Sequence, residues 1–406
     1  MELFNIIAVL VTLSALFSFI NYRYIRLPTS IGLMLIAMIM SISLIFLGKT
    51  GVHIGIRELV EGIDFNQTLL VGMLSFLLFA GALHVDINDL LDNKWEIGIF
   101  ATLGIIFSTM MIGTLIYQFN QWSSGPNIPY IYCLLFGALI SPTDPIAVLG
   151  ILKTSNAPQS LKVKIAGESL FNDGIGVVIF IVLLGMATGG HEISPKEIAL
   201  LFTEEVAGGV ILGLLLGWVS YQVLKRVDQY QVEVLITLAL VIGGYALALK
   251  LHTSGPIAIV IAGLMIGNQG RKLAMSDKTR EHLDTFWELI DEVLNSVLFV
   301  LIGLEILIIT FSSQYLVMSL IAIPIVLFAR FLSIGIPVSL LRKVREFSPN
   351  AVKILTWGGL RGGISVALAL SIPDGPIRDI FLTMTYAVVV FSILVQGLTI
   401  KYLIKS

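Results

Sequence analysis

The chain is 406 residues long, 56% hydrophobic and 13% charged, with a mean hydropathy of +0.94. Soluble domains of ordinary composition are far less apolar, so the sequence reads as an integral membrane protein. A net charge of −2 gives no reason to expect a nucleic-acid partner, and the single Cys133 permits no internal disulfide.

Long apolar runs bounded by charges or turn residues predict thirteen membrane spans. The first, 2–20, has no basic residue before it and no small-residue cleavage site after it, so it reads as a span and not a signal peptide. The others follow at 28–48, 67–85, 95–117, 129–152, 161–187, 198–224, 231–250, 255–268, 290–311, 315–341, 351–373 and 380–402. With the N-terminus outside and the C-terminus cytoplasmic, the inner connections and inner span ends hold 18 Lys and Arg, Lys164 among them, and the outer connections and span ends five. The positive-inside rule favours that orientation in a cell membrane. Arg330 and Arg361 are the two left over, and both fall inside spans. The longest polar connections are 49–66 and 271–289; the second reads as a solvated amphipathic helix on the inner surface.

Depth follows from the helical rise of about 1.5 Å per residue. It puts Asp144 about 12 Å, Asp173 about 13 Å, Arg361 about 15 Å and Arg330 about 18 Å from the inner ends of their spans. Four ionisable residues thus share one slab near the midplane, where each is costly alone and tolerable in company. Around Asp173 the sequence is GESLFNDG, residues 167–174. Residues four apart stack on a helix, so Ser169 and Asp173 share one face, offering oxygen ligands to a hard cation. Glu168 and Asn172 share another, where a guanidinium could neutralise the acid.

Two spans carry helix breakers. In SPTDP, residues 141–145, Pro142 and Pro145 supply no amide hydrogens, and in GGLRGG, 358–363, glycines flank Arg361. Interrupted spans at corresponding positions of two halves point to a transporter site. These are spans five and twelve, and their odd offset of seven makes the partners run in opposite directions, as in an inverted repeat. Asp144 and Arg361 are placed to compensate the exposed half-helix ends, acid against amides and cation against carbonyls. Simpler readings stand beside these: a structural ion network for Glu168 and Asp173, and close packing of small residues for the glycines. The histidines lack metal-ligand spacing. Glu204, Glu205 and Glu305 read as solvated span ends.

Together, SPTDP, GESLFNDG, the arginine in FARFLSIG at 328–335 and GGLRGG resemble, in order and over essentially the whole chain, the first cation/proton antiporter family. That family includes the NhaP-type antiporters of bacteria and archaea and the animal sodium/proton exchangers. The resemblance implies an all-α fold of thirteen spans with two crossed broken helices, and a homodimer held through 1–85 and 231–311. It also implies an ion-translocating core at 95–187 and 315–402, joined by 198–224. Asp173 becomes the ion-binding and proton-carrying carboxylate, Ser169 and Thr143 further Na⁺ ligands, Asn172 a supporting residue, and Glu168 the partner of Arg330.

The sequence departs from the family where Ala80 stands at a frequent acid of span three, and where Asn295 stands at a glutamate of the eukaryotic members. The expected activity is exchange of cytoplasmic Na⁺ or Li⁺ for external H⁺, one for one and electroneutral, with no cofactor and no covalent chemistry. A K⁺/H⁺ antiporter and a passive cation channel are the alternatives. An intramembrane protease would also use midplane aspartates, but it does not need the SPTDP break.

Overall fold

The computed structural model describes residues 3–49, 67–123, 127–153, 158–189, 195–271, 275–307, 313–345, 347–348 and 350–405. The connection at 50–66 and the expected end of span ten at 308–311 lie outside them. Among the described residues the chain is helical throughout, and its one β-type contact is a single antiparallel bridge between Asp144 and Leu360.

The first three spans are α1 (Leu3–Ile20), α2 (Thr29–Lys49) and α3 (Leu74–Leu83), the last entered through a π-helical stretch at Gln67–Met73. Short α4 (Ile87–Asp92) is capped by the Asp86 carboxylate, which accepts from the amide of Asn88. Next come α5 (Lys94–Ala101) and α6 (Leu103–Trp122), which continue one another past Thr102. They are followed by α7 (Tyr130–Ile140), α8 (Ile146–Lys153) and α9 (Gln159–Thr188). The middle of the chain forms α10 (Pro195–Leu224), α11 (Tyr230–Lys250), α12 (Gly255–Met265) and α13 (Asp277–Leu304). The last third forms α14 (Ser313–Leu341), α15 (Ala351–Trp357), α16 (Gly363–Leu370), α17 (Pro376–Phe391) and α18 (Gly397–Lys405).

The described part of each expected span lies on helical segments, interrupted at 141–145 and 358–362. Eight of the described helices are long and apolar enough to cross a membrane. The remaining five expected spans are met by the shorter apolar helices α3, α7 with α8, and α12, by α13, and by the pair α15 and α16.

The polar run at 271–289 is not a separate surface helix. Its residues from Asp277 onward form the first half of α13 and continue without interruption into span ten. Thr279, Leu283 and Trp287 recur at helical spacing and turn inward, with Trp287 fully buried against Phe79 at 4.6 Å between ring centroids. Its indole nitrogen donates to Thr237 Oγ1 at 3.1 Å, which satisfies the one polar atom of the ring. Lys164, counted among the inner-loop cations, is also buried; it pairs with Glu96 at 3.5 Å and lies over the Phe347 ring. Glu305 is buried rather than solvated, whereas Glu204 is exposed and Glu205 half-buried.

The helices pack in two groups. In one, α13 lies on α2 and α3, and α12 on α3 and α10. In the other, α6 lies on α7 and α14, α9 on α5 and α7, and α17 on α14 and α16. Between the groups opens a cavity of about 1500 Å³, reaching from Arg23, Arg26 and Lys162 inward to Thr143, Asp144 and Asp173.

Candidate functional site: a crossed pair of helix breaks

Why α7 stops at Ile140 is local: neither Pro142 nor Pro145 can donate a ladder hydrogen bond, and the chain re-enters a helix only after Pro145. The second break lies between Trp357 and Gly363. The two breaks run antiparallel, and the amide of Asp144 donates to the carbonyl of Leu360 at 2.8 Å. Irregular backbone at this depth is tolerated where protein satisfies its polar groups.

Side chains supply most of that satisfaction. The Arg361 guanidinium donates to the carbonyls of Ser141 and Pro142, at the open C-terminal end of α7. Asp144 Oδ1 accepts from the amide of Ile146 at 2.9 Å, at the N-terminal end of α8. Cation at carbonyls and acid at amides is the favourable pairing with half-helix charges. Arg330 does the same at the second break, donating to the carbonyl of Leu355 at 3.2 Å while it pairs with Glu168.

Two groups that the sequence reading missed hold this second break from the π-helical turn at Ser392–Gln396. Ser392 Oγ accepts from the amide of Arg361 at 3.0 Å, and Gln396 Nε2 donates to the carbonyl of Trp357 at 2.9 Å. The available signal was two polar residues four apart in a predominantly apolar span.

The glycines at 358–363 have a specific use. A Cβ on Gly359 would collide with the guanidinium of Arg330, and one on Gly362 with the carboxylate of Asp144. They let charged side chains reach the broken backbone, which a simple small-residue packing face would not need.

Along α9, Glu168, Ser169 and Asn172 are buried, and Asp173 lies on the cavity wall at 8% exposure. Thr143 Oγ1 is 3.1 Å from Ser169 Oγ and accepts from Asn172 Nδ2 at 2.8 Å. Asn172 Oδ1 accepts in turn from the amide of Thr143 at 3.3 Å. Asn172 therefore sits with Ser169 on the break and not with Glu168 on an opposite face. Residues three apart on a helix are only about 60° apart, so one broken segment can reach both. Glu168 points the other way, to Arg330, and the two acids of GESLFNDG have separate surroundings. Ala80 and Asn295 both line the cavity.

A family model described as the sodium/hydrogen exchanger transmembrane region matches residues 8–406. The chain belongs to the sodium/hydrogen exchanger family. Within that family of transporters it is 49% identical to the Na⁺/H⁺ antiporter NhaP of Pseudomonas aeruginosa, over 99% of this chain and 96% of that protein. It is 35% identical to the Na⁺/H⁺ antiporter NhaH of Halobacillus dabanensis, over 95% and 93% of the two chains. The fold is that of the sodium proton antiporter MjNhaP1 from Methanocaldococcus jannaschii, with a TM-score of 0.79, 20% identity and coverage of 100% and 99%. This exchanger-family chain is thus a multi-pass membrane protein, and the K⁺/H⁺ alternative finds no support among these relatives.

Proposed function

We propose that the protein is a secondary antiporter that exchanges cytoplasmic Na⁺ or Li⁺ for external H⁺ across the cell membrane, without covalent chemistry or a cofactor. The observation that carries this reading is the placement of Asp173. Its carboxylate lines a solvent-connected cavity beside the Thr143 and Ser169 hydroxyls, while the other acid of the same motif is taken up by Arg330.

Asp173, Ser169 and Thr143 supply oxygen atoms suited to a dehydrated Na⁺. Protonation of Asp173 removes the negative charge that holds the cation, so Na⁺ and H⁺ compete for one group. Asn172 positions Thr143 through both its amide atoms. Asp144 and Arg361 compensate the half-helix ends and need not touch the ion.

The Lys and Arg distribution supports a reading with the N-terminus outside, thirteen crossings, and the cavity mouth at Arg23, Arg26 and Lys162 on the cytoplasmic side. The structure then corresponds to the inward-open half of an alternating-access cycle. Segments 95–187 and 315–402 form the moving part, and 198–224 connects it to 1–85 and 231–311, through which two copies dimerise. Dequenching of a pH dye in proteoliposomes tests the reading, with Na⁺, Li⁺ and K⁺ added separately. Dequenching with Na⁺ and Li⁺ is the expected result; a response to K⁺ alone, or none to any cation, would refute it.

A further inference from the structure

The cavity has a second polar wall, distinct from the α9 site. From α13, Glu288, Asp291, Glu292 and Asn295 all face the same space. Asp291 and Asn295 stand four residues apart on one helical face, and both line the cavity. Asn295 is only 6% exposed, yet its Oδ1 finds no donor among the described residues. A buried carbonyl oxygen without a partner is costly, and native structures rarely keep one without a use.

Next to it is a carboxylate, so the two neighbouring acceptors are hard oxygens, the donor set of a small cation and not of an anion. The charged and titratable groups acting on Asp291 are His84, from α3's end, and the acids Asp144 and Glu292. His84 has its Nδ1 engaged with the carbonyl of Ala80 at 2.8 Å. Asp144, Asp173 and Asp291 all line this one cavity.

We propose that Asp291 and the Oδ1 of Asn295 form a second cation subsite, which holds a partly hydrated Na⁺ or Li⁺ before it passes to Asp173. This rests on the reading of Asp173 as the transported-ion site. In the second group of helices the cation is bound by the moving segment; here it is met by α13, in the segment assigned to the static part. The subsite raises the local cation concentration at the site without taking part in exchange of the proton.

The test has a transport arm and a binding arm. In proteoliposomes, Asp291→Asn and Asn295→Leu should raise the half-saturating Na⁺ concentration about three- to tenfold, as expected for loss of one part-hydrated oxygen contact, with the maximal rate kept. Asn295→Asp adds a carboxylate and should lower that concentration, an outcome that poor folding cannot produce. In detergent, Asp173→Asn should still bind radioactive Na⁺ displaceable by Li⁺, and adding Asp291→Asn should abolish that binding. Unchanged half-saturation in all three cavity variants would overturn the subsite. So would an equal shift in Glu288→Gln and Glu292→Gln, which would mean a diffuse field, or absence of Na⁺ binding to Asp173→Asn. If the wild-type protein shows no Na⁺-driven proton flux, the antiporter reading fails, while the binding arm still judges the subsite by itself.

Discussion

Asp173 and Glu168 lie five residues apart on one helix, and their surroundings give them different work. Asp173→Asn keeps the side-chain volume but can neither release a proton nor balance a bound cation, so it should abolish exchange with the melting temperature preserved. Ser169→Ala removes one oxygen beside Thr143 and should only weaken apparent Na⁺ affinity; both are read by dye dequenching over a range of Na⁺. Wild-type rates in Asp173→Asn would remove the basis of the site assignment. Glu168 and Arg330 are both buried and paired, so neutralising either one strands the other at a cost of about 3–5 kcal/mol. The double variant Glu168→Gln with Arg330→Gln should recover part of that loss in thermal unfolding. Arg330 also caps the carbonyl end of α15, so recovery should stay incomplete.

Breaking a helix exposes two sets of backbone groups: here Arg361 from the other half of the chain holds the carbonyl end of the first break, Asp144 caps the amide end of its own break, and Arg330, Ser392 and Gln396 hold the second break from the same half. Asp144→Ala removes the acceptor for the first amide of α8, a capping loss of about 0.5–2 kcal/mol. Arg361→Ala should cost more, since each hydrogen bond from a charged donor contributes about 1.5–3 kcal/mol and its guanidinium holds two carbonyls of the other break. Thermal melting of the detergent-solubilised variants should rank them in that order; the reverse order would show that Arg361 does not hold the crossing. Gly362→Ala should resemble Asp144→Ala in stability, because the added methyl occupies the space of the Asp144 carboxylate.

At the scale of the whole molecule a cavity opens between two helix groups, with Asp173 on its wall beside the broken backbone. If each occupancy of that carboxylate carries either Na⁺ or H⁺, the loaded site has the same net charge in both directions and exchange is electroneutral. Asn172 is a neutral amide committed to Thr143, and Glu168 is paired with the buried Arg330 guanidinium, so Asp173 is the one carboxylate of GESLFNDG left facing the cavity. Activity should then be bell-shaped in pH. Falling pH protonates Asp173 and excludes Na⁺, and rising pH leaves too few protons for the return step. Raising Na⁺ should move the acid limb to lower pH, since more cation competes against the proton. Na⁺-driven proton flux at membrane potentials clamped by K⁺ and valinomycin should be insensitive to voltage; steep voltage dependence would point to a second proton carrier and sink one-for-one exchange.

Composition and pattern alone determined that this chain crosses a membrane many times, because uninterrupted apolar length has few other uses. They also determined where its helices break, because proline and glycine act on the backbone locally. The pairing of charges is a different matter. Helical rise placed Asp144, Asp173, Arg330 and Arg361 at one depth, but depth does not fix rotation about the helix axis or the helix that lies opposite. Only the packed structure decided that Asn172 faces Thr143, that Arg330 serves both Glu168 and the end of α15, and that Ser392 and Gln396 hold the second break. It also decided that the charged run at 271–289 is largely the first half of a long helix with a buried face. A polar residue's partner is set by whichever element packs against it, and in this chain those partners lie far away in sequence: 162 residues separate Glu168 from Arg330.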